Sequence, residues 1–398
     1  MTVHYITCHN NDLPYNGLSF TDIDRKNQDH NNDINFLYGH FDNFPIQQVY
    51  SEQWVDLLPN ENLKLVLCWQ QTPSFMDLSV IDQSLIQHVN HNPNVYLLCV
   101  DVLESILYPS VYTEQCKHNN INPEKVIVLT SNYEINLQKI DGINYITIEY
   151  WESLTRQHHR WMSNIQMTSQ SQRITANKTA SKKFISLNRN LKPARAMWKY
   201  AMSASGLQSQ GHISYLLPRV CDDADKFHED IVQSPILNDM FYNGPPEDIR
   251  EHLDYQELDD IIHDYPISYN ENLNSYYNDS LLNIITESHH STVFLTEKTF
   301  KAIAQRQPFF ILGNPDMHKR LREKGYYTFE KLFDTTQVMN AHQALALCQK
   351  LLDRDIEDIR QEILTDWMPK IEHNYNLFFN SKCDWNHTML LVKNQINL

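Results

Sequence analysis

Apolar residues in the first 150 positions form short runs that alternate with polar segments. Six of these runs have the length and composition of β-strands, and they lie at residues 3–8, 34–39, 64–69, 94–100, 125–130 and 143–148. Intervening residues such as 82–90 and 109–119 have the composition of helices or loops. Strands that alternate with helices are typical of a doubly wound sheet. The pattern therefore predicts an α/β domain over residues 1–150.

A second alternation of strand and helix begins near residue 183. Phe184–Leu187 is a short apolar run, and a helix is predicted from Pro193 because apolar residues then recur at helical spacing up to Gly206. His212–Leu217 is the next strand-like run. Residues 222–280 are acidic and irregular.

The same alternation returns between residues 283 and 332. It predicts strands at Ile284–Thr286, Val293–Leu295 and Pro308–Leu312, a helix at Glu297–Arg306, and another helix that opens at Pro315 and closes at Gly325. We therefore predict a second α/β domain over residues 183–335. Residues 151–182 begin as a helix, become rich in Ser, Thr, Gln and Asn, and indicate an interdomain linker. Residues 336–398 have helical spacing throughout.

Polar side chains with possible roles in chemistry fall where these predicted strands end. Thr296, Glu297 and Lys298 stand between an apolar run and the helix that follows it. In open α/β sheets this carboxyl edge binds ligands, beside helix N-termini whose free N–H groups attract phosphate. A carboxylate there would accept ribose hydroxyls, and a lysine would neutralise a phosphate. The alternative is a helix cap made by Thr296, with a favourable glutamate in the first turn.

A second set of polar residues follows the strand Phe184–Leu187. Asn188 opens a polar turn, and Arg189 and Arg195 flank that turn on the way into the next helix. Guanidinium groups bind diphosphate oxygens in pairs of hydrogen bonds. We therefore predict that Arg189 contacts a phosphate, with Arg195 as the second candidate and Lys183 as the third. The alternative is that these are exposed basic residues on the first turn of a helix.

The run TEKTFKAIAQRQPFFILGNP, residues 296–315, resembles the donor-binding motif of GT-B glycosyltransferases, especially the α-1,3-fucosyltransferase-like group. It is also similar to glycosyltransferase-like proteins of phages and bacteria, which carry Ser-Leu-Asn-Arg-Asn as residues 186–190 do here. The likeness extends over roughly residues 182–333. It implies two Rossmann-like domains with C-terminal helices that pack back on the first domain. It also implies that Glu297 contacts ribose and Lys298 the diphosphate.

The catalytic base is expected in the first domain. Asp101 follows an apolar strand, with Glu104 one helical turn later, and a carboxylate there would take a proton from an acceptor hydroxyl. The alternative for Asp101 is a helix cap. In the fucosyltransferase-like group the base lies in a Glu-Ser-Pro segment after an apolar strand. The matching residues here begin with Gln71, which cannot act as a base and would instead position the acceptor.

Metal and cofactor motifs are nearly absent from the sequence. Asp223 and Asp225 match the short DxD pattern of metal-dependent GT-A enzymes, but they lie in an acid-rich stretch where such a match is weak. Neither GxGxxG nor GxxxxGK[ST] occurs, which argues against NAD and P-loop sites. The seven cysteines are scattered without a CxxC pair, as expected for reduced buried thiols. We predict no cofactor and no divalent metal, with a nucleotide sugar as co-substrate.

Charge restricts the choice of partner. The formal net charge of −16 disfavours polyanion binding, yet residues 153–221 contain eleven Lys or Arg and no acidic residue. That segment indicates either a local anion site or basic residues paired with an acidic surface. No apolar run has the length of a membrane span, and the first residues show no signal-peptide pattern, so we expect a bacterial or host-cell cytoplasmic location.

These patterns, together with the resemblance, predict a metal-independent glycosyltransferase that moves a hexosyl, fucosyl or pentosyl group from a nucleoside diphosphate to a hydroxyl. The resemblance implies that the reaction inverts the anomeric centre. A surface glycan is the favoured acceptor, and modified phage DNA is an alternative that the net charge disfavours. Two other classes stay open. One is a metal-dependent transferase that uses Asp223 and Asp225, and the other is a noncatalytic nucleotide- or glycan-binding protein.

Overall fold

The structure is a computed structural model, and it describes residues 4–8, 63–69, 78–81, 83–93, 95–101, 109–161, 169–190, 192–216, 229–242, 244–253, 273–287, 289–381 and 394. The chain divides into two compact units. Residues 1–150 and 382–398 form the first unit, and residues 151–381 form the second. The predicted strand at residues 34–39 lies outside the described residues.

The first unit contains a six-stranded sheet with the order β1-β2-β3-β4-β6-β5. Its strands are β1 His4–Cys8, β2 Leu63–Trp69, β3 Tyr96–Asp101, β4 Val126–Thr130, β5 Lys139–Ile140 and β6 Ile143–Thr147. All pairs are parallel except that of β5 with β6. The described helices are α1 Gln83–His91, α2 Ser110–His118 and the first residue of α3 Tyr150–Trp161. The predicted α/β class is confirmed for this unit.

The continuous apolar runs form these strands because both faces of the sheet are covered. Every residue of β4 is buried, and Leu97 and Cys99 of β3 pack with Tyr112 of α2 in one core cluster. The short antiparallel strand β5 was not predicted, since two residues carry no periodicity. Cys99 and Cys116 are buried free thiols, as the scattered cysteines suggested.

The second unit contains a four-stranded parallel sheet with the order β10-β9-β7-β8. Its strands are β7 Lys182–Asn190, β8 Gly211–Leu216, β9 Ser280–Thr286 and β10 Phe309–Leu312. Its helices are the rest of α3, then α4 Gln170–Thr179, α5 Pro193–Ser205, α6 Pro235–Met240, α7 Leu273–Asn278, α8 Glu297–Ala304, α9 Asp316–Glu323, α10 Glu330–Phe333, α11 Ala341–Asp353, α12 Ile356–Glu362 and α13 Met368–Asn380.

Two helices of this unit, α5 and α9, begin and end near the residues that the sequence predicts. Pro193 opens α5, and Gly206 ends it in the left-handed conformation at φ +79°. Gly325 follows α9 at φ +90°. The predicted strand Val293–Leu295 is wrong, because these residues form no strand. They are buried as an extended segment that leads into α8, so their apolar character reflects packing and not sheet pairing.

The C-terminal helices α11 to α13 belong to the second unit, as does the segment 151–182 with α3 and α4. α11 packs on α5, and α13 packs on α8 through the stacked rings of Phe378 and Phe300, whose centroids lie 6.0 Å apart. A single π-helical turn, Ile363–Trp367, joins α12 to α13. No helix within the described ranges is both long and apolar enough to cross a membrane.

Candidate functional site

The second sheet reverses its winding direction between β7 and β9. From β7 the chain crosses through α5 to β8 on one side, and from β9 it crosses through α8 to β10 on the other side. Because such crossovers are right-handed, α5 and α8 cover opposite faces of the sheet. The loops after β7 and β9 therefore part at the carboxyl edge and leave a crevice there. Open α/β sheets bind ligands at such a switch point.

The strand ends lie level with one another at this crevice. Thr286 of β9 is in register with Leu312 of β10, and Asn188 of β7 is in register with Tyr215 of β8. The Thr286 hydroxyl donates a hydrogen bond to the side-chain oxygen of Asn188, which joins the two inner strands at the switch point. Asn188 is 1 % exposed, and its backbone N–H donates to the Ser214 hydroxyl at 3.1 Å. Asn188, one of the residues predicted to bind the nucleotide sugar, thus lies at the centre of the carboxyl edge.

Glu287, the residue after β9, fixes the start of α8. Its carboxylate accepts hydrogen bonds from the Thr296 N–H at 3.0 Å, the Thr296 hydroxyl at 2.6 Å and the Thr299 hydroxyl at 2.7 Å. The side chain of Glu287 is 0 % exposed, so these bonds form in a medium that strengthens them. We did not predict Glu287. The signal was present in the sequence, since an acidic residue directly after an apolar strand was the argument used for Asp101.

Thr296 is the helix cap that one of the two sequence interpretations predicted. Its hydroxyl accepts from the Lys298 N–H at 3.4 Å and from the Lys298 Nζ at 2.9 Å. The cap and the Glu287 hydrogen bonds together hold the backbone of the first turn of α8. They leave the side chains of Glu297 and Lys298 as the charged groups at this helix N-terminus.

Glu297 and Lys298 form a close pair of opposite charge. The Lys298 Nζ lies 3.4 Å from Glu297 Oε1 and 3.8 Å from Glu287 Oε2, and the Lys298 side chain is 19 % exposed. Burial raises the pKa of Glu297, but the charges of Lys298 and Lys301 outweigh burial and hold that pKa below its usual value. Glu297 is therefore ionised at neutral pH, when its oxygens act as hydrogen-bond acceptors.

Arg195 lies on the opposite side of the switch point, in the first turn of α5. Its side chain is 3 % exposed, so the alternative interpretation as an exposed basic residue is wrong. It lies beside Tyr215 of β8. Burial raises the pKa of Tyr215, and the Arg195 charge partly offsets that increase. Arg189 is the penultimate residue of β7, at the same edge, and its phosphate contact stays a prediction.

The prediction of a phosphate contact for Lys183 is wrong. Lys183 lies at the amino end of β7, and its Nζ donates to the carbonyls of Leu351 at 2.7 Å and Leu352 at 3.3 Å. It therefore caps the C-terminus of α11, where a cation is favoured by the free carbonyls.

Other members of the basic segment also have structural roles. Arg173 is 0 % exposed and donates to the carbonyls of Tyr277 and Ser280, and burial lowers its pKa to about 9. Arg156 donates to the buried carboxylate of Glu152 at 2.6 Å. These side chains thus have partners inside the second unit, and the ion pair of Arg156 with Glu152 favours the pairing interpretation for that part of the segment.

The predicted residues of the first domain are only partly described. Asp101 is the last residue of β3, and Tyr112 donates a hydrogen bond to its Oδ2 at 2.7 Å. This bond orients the carboxylate at the carboxyl edge of the first sheet. Gln71, Glu104, Asp223 and Asp225 lie outside the described residues. Within the described ranges, no group of three or more His, Cys, Asp or Glu side chains has the arrangement of a metal site.

Several solved structures resemble this chain. An α1,3-fucosyltransferase is 12 % identical with a TM-score of 0.44, and the match covers 96 % of this chain and 92 % of that one. A glycosyltransferase from Rickettsia africae is 10 % identical with a TM-score of 0.43 over 99 % of both chains. S. aureus MnaA with UDP is 9 % identical with a TM-score of 0.40, over 100 % of this chain and 98 % of that one. No protein-family profile and no curated protein matches the chain.

Proposed function

We propose that the chain is a glycosyltransferase whose second unit binds the nucleoside diphosphate of a nucleotide sugar. The observation that carries this proposal is the switch-point crevice. It is bordered by Asn188 and Thr286, by the first turn of α5 with Arg195, and by the first turn of α8 with Glu297 and Lys298. Two helix N-termini and two cations at one edge of a parallel sheet favour a phosphate-bearing ligand.

Each charged group has a role that follows from its chemistry. Glu297 is ionised, so it accepts the two hydroxyls of a ribose. Lys298 supplies a positive charge to the phosphate next to that ribose, and Arg195 supplies another from the β7 side of the crevice. When the bond between the sugar and the terminal phosphate breaks, negative charge grows on the diphosphate. Fixed cations stabilise that charge more in the transition state than in the bound substrate.

The acceptor half of the reaction is assigned to the first unit. Asp101 ends β3 and is oriented by Tyr112, so it is the described carboxylate suited to take the acceptor proton. The acceptor oxygen then attacks the anomeric carbon, the nucleoside diphosphate leaves, and the configuration inverts. Glu104 and Gln71 are the neighbouring candidates for base and for acceptor positioning. We propose a glycan acceptor and a cytoplasmic location, and binding to DNA with a steep salt dependence would contradict that choice of acceptor.

A thermal-shift screen with UDP-, GDP-, CMP- and TDP-linked sugars tests the donor assignment. A ligand present at 100 times its Kd stabilises the fold by about 2.7 kcal/mol, so a true donor raises Tm measurably. We expect Lys298→Met to reduce this stabilisation to between about 0.4 and 1.4 kcal/mol, as a 10- to 100-fold weaker Kd requires. Lys319→Met is the matched control, since Lys319 is exposed on α9, away from the switch point. The proposal fails if no nucleotide sugar raises Tm, or if both variants behave alike.

The same ligand then separates the three classes of function. Transfer or hydrolysis of the donor in excess EDTA supports the metal-independent enzyme. Loss of activity in EDTA, together with an inactive Asp223→Asn/Asp225→Asn variant and a fully active Arg195→Ala variant, would establish the metal-dependent alternative. Binding of the donor without hydrolysis or transfer to any acceptor would establish the noncatalytic alternative.

A further inference from the structure

His290 is a polar side chain at the carboxyl edge of the second sheet. It lies in the loop between β9 and α8 and is partly buried. Neither of its ring nitrogens has a hydrogen-bond partner in the part of the chain that the structure describes. A partly buried polar group without partners reduces stability, so a retained one indicates either strain or a missing ligand.

The loop around His290 is held in place by its neighbours. The His289 ring packs on Phe294 with the centroids 5.3 Å apart, and the Asn314 amide donates to the Ser291 carbonyl at 3.3 Å. A Cβ atom added to Gly313 would lie 3.5 Å from Nδ1 of His290, so the imidazole lies beside the residue that follows β10. The position of His290 is thus fixed at the β10 end of the edge.

The rest of the edge determines which part of a donor would reach His290. The order of strands is β10-β9-β7-β8, and Arg195 with Tyr215 lies at the β7–β8 side. Three strand spacings of about 4.8 Å separate the two sides by roughly 14 Å. Since the cations favour phosphates near the switch point and toward β8, we expect the nucleoside to extend toward β10. Glu297, to which the ribose is assigned, is the first residue of the helix that connects β9 to β10.

The His290 side chain is better suited to bind a nucleobase than a phosphate. Burial lowers the pKa of His290 to about 4, so the ring is neutral at neutral pH. A neutral imidazole offers one N–H donor and one lone-pair acceptor, whereas a phosphate is bound by cations and N–H donors. A nucleobase edge presents donors and acceptors together, and it also has an aromatic face that an imidazole can stack on.

We propose that His290 contacts the nucleobase of the donor and determines which base the site accepts. This assignment rests on the proposed function, because it requires that a nucleotide binds at the switch point. It adds a specificity residue at the β10 end of the site, away from the groups that bind the diphosphate.

Isothermal titration of the full chain with UDP, GDP, ADP, CDP and inorganic pyrophosphate tests the proposal. For the wild-type chain, we expect the Kd of the best-bound nucleoside diphosphate to be at least about tenfold lower than that of the weakest. In His290→Ala we expect this ratio of Kd values to fall by about tenfold. Pyrophosphate has no base, so its Kd should be unchanged in the variant. His290→Asn retains a donor and an acceptor and should recover part of the preference. His342→Asn, a change at an exposed histidine on α11, should retain all of it.

The possible failures are distinguishable. If the wild-type chain binds none of the five ligands, the proposed function and the assignment of His290 both fail. If it binds nucleoside diphosphates but His290→Ala keeps the same base preference, only the assignment fails. The assignment also fails if the variant weakens pyrophosphate as much as the preferred nucleotide, or if the wild-type chain does not discriminate among bases.

Discussion

The most specific structural prediction concerns Glu287, because its buried carboxylate accepts the hydrogen bonds that hold the first turn of α8. In a Glu287→Ala variant the Thr296 N–H loses its acceptor, and Lys298 loses the buried charge 3.8 Å from its Nζ. Removing one member of a buried charge network costs about 3–5 kcal/mol. The threonine hydroxyls can turn toward other acceptors, so we expect the lower end of that range, about 3 kcal/mol. For a domain of this size that corresponds to a decrease in Tm of roughly 6–12 °C.

Glu297→Gln is the matched control for this prediction. The Glu297 side chain lies at the same helix N-terminus, but it is 14 % exposed and pairs mainly with Lys298. We therefore expect the free energy of unfolding to fall by no more than about 1 kcal/mol in Glu297→Gln. Thermal unfolding gives the two values of Tm, and hydrogen exchange of the α8 amides locates the effect. Glu287→Ala should speed exchange in the first turn of α8, and Glu297→Gln should not. Equal Tm values, or a more destabilising Glu297 variant, would refute the role given to Glu287.

Three further predictions concern affinity, pH and folding. Lys298→Ala should weaken nucleoside diphosphate binding about 10- to 100-fold in titration calorimetry, as expected for the loss of a charge-assisted contact. Because the pKa of Glu297 lies below its usual value, Glu297 should stay ionised down to about pH 5. The ratio of the Kd of Glu297→Gln to the wild-type Kd should therefore be constant from pH 8 to about 5, and a change in this ratio near pH 6 would contradict the prediction. Glu152→Ala should cost about 3–5 kcal/mol in denaturant unfolding, since Arg156 and Tyr326 then lose a buried acceptor, whereas an exposed Glu124→Ala should cost less than about 1 kcal/mol.

The local structure of the second unit follows from the sequence because its strands and helices are marked by strong signals. Pro193 and Gly206 bound α5, and the continuous apolar residues of β10 require a sheet covered on both faces. The apolar residues Val293–Leu295 gave a wrong strand because periodicity over three residues does not separate a strand from a buried extended segment. Packing against α8 is a tertiary property that no short window contains.

The sequence predicted where in the chain the candidate site lies, but not which contacts its side chains make. Glu297 and Lys298 were identifiable because charge follows an apolar run at a helix start. The structural role of Lys183 was not, because its partners are main-chain carbonyls more than 160 positions later in the chain. Nor can a sequence show that the His290 ring lacks hydrogen-bond partners among the described residues, since that depends on what the fold brings near it. The switch point could be located only from the order of the strands in the sheet, which the structure provides.

A hydrogen-exchange footprint of the full chain with a nucleoside diphosphate tests the central claim most directly. If the diphosphate binds at the switch point, protection should increase in two separate peptides, residues 187–199 after β7 and residues 287–301 at the start of α8. At a ligand concentration near the wild-type Kd, Lys298→Met should remove most of both effects, and Lys319→Met should keep them. Protection that is confined to residues 1–150, or that spares both of these peptides, would contradict the account.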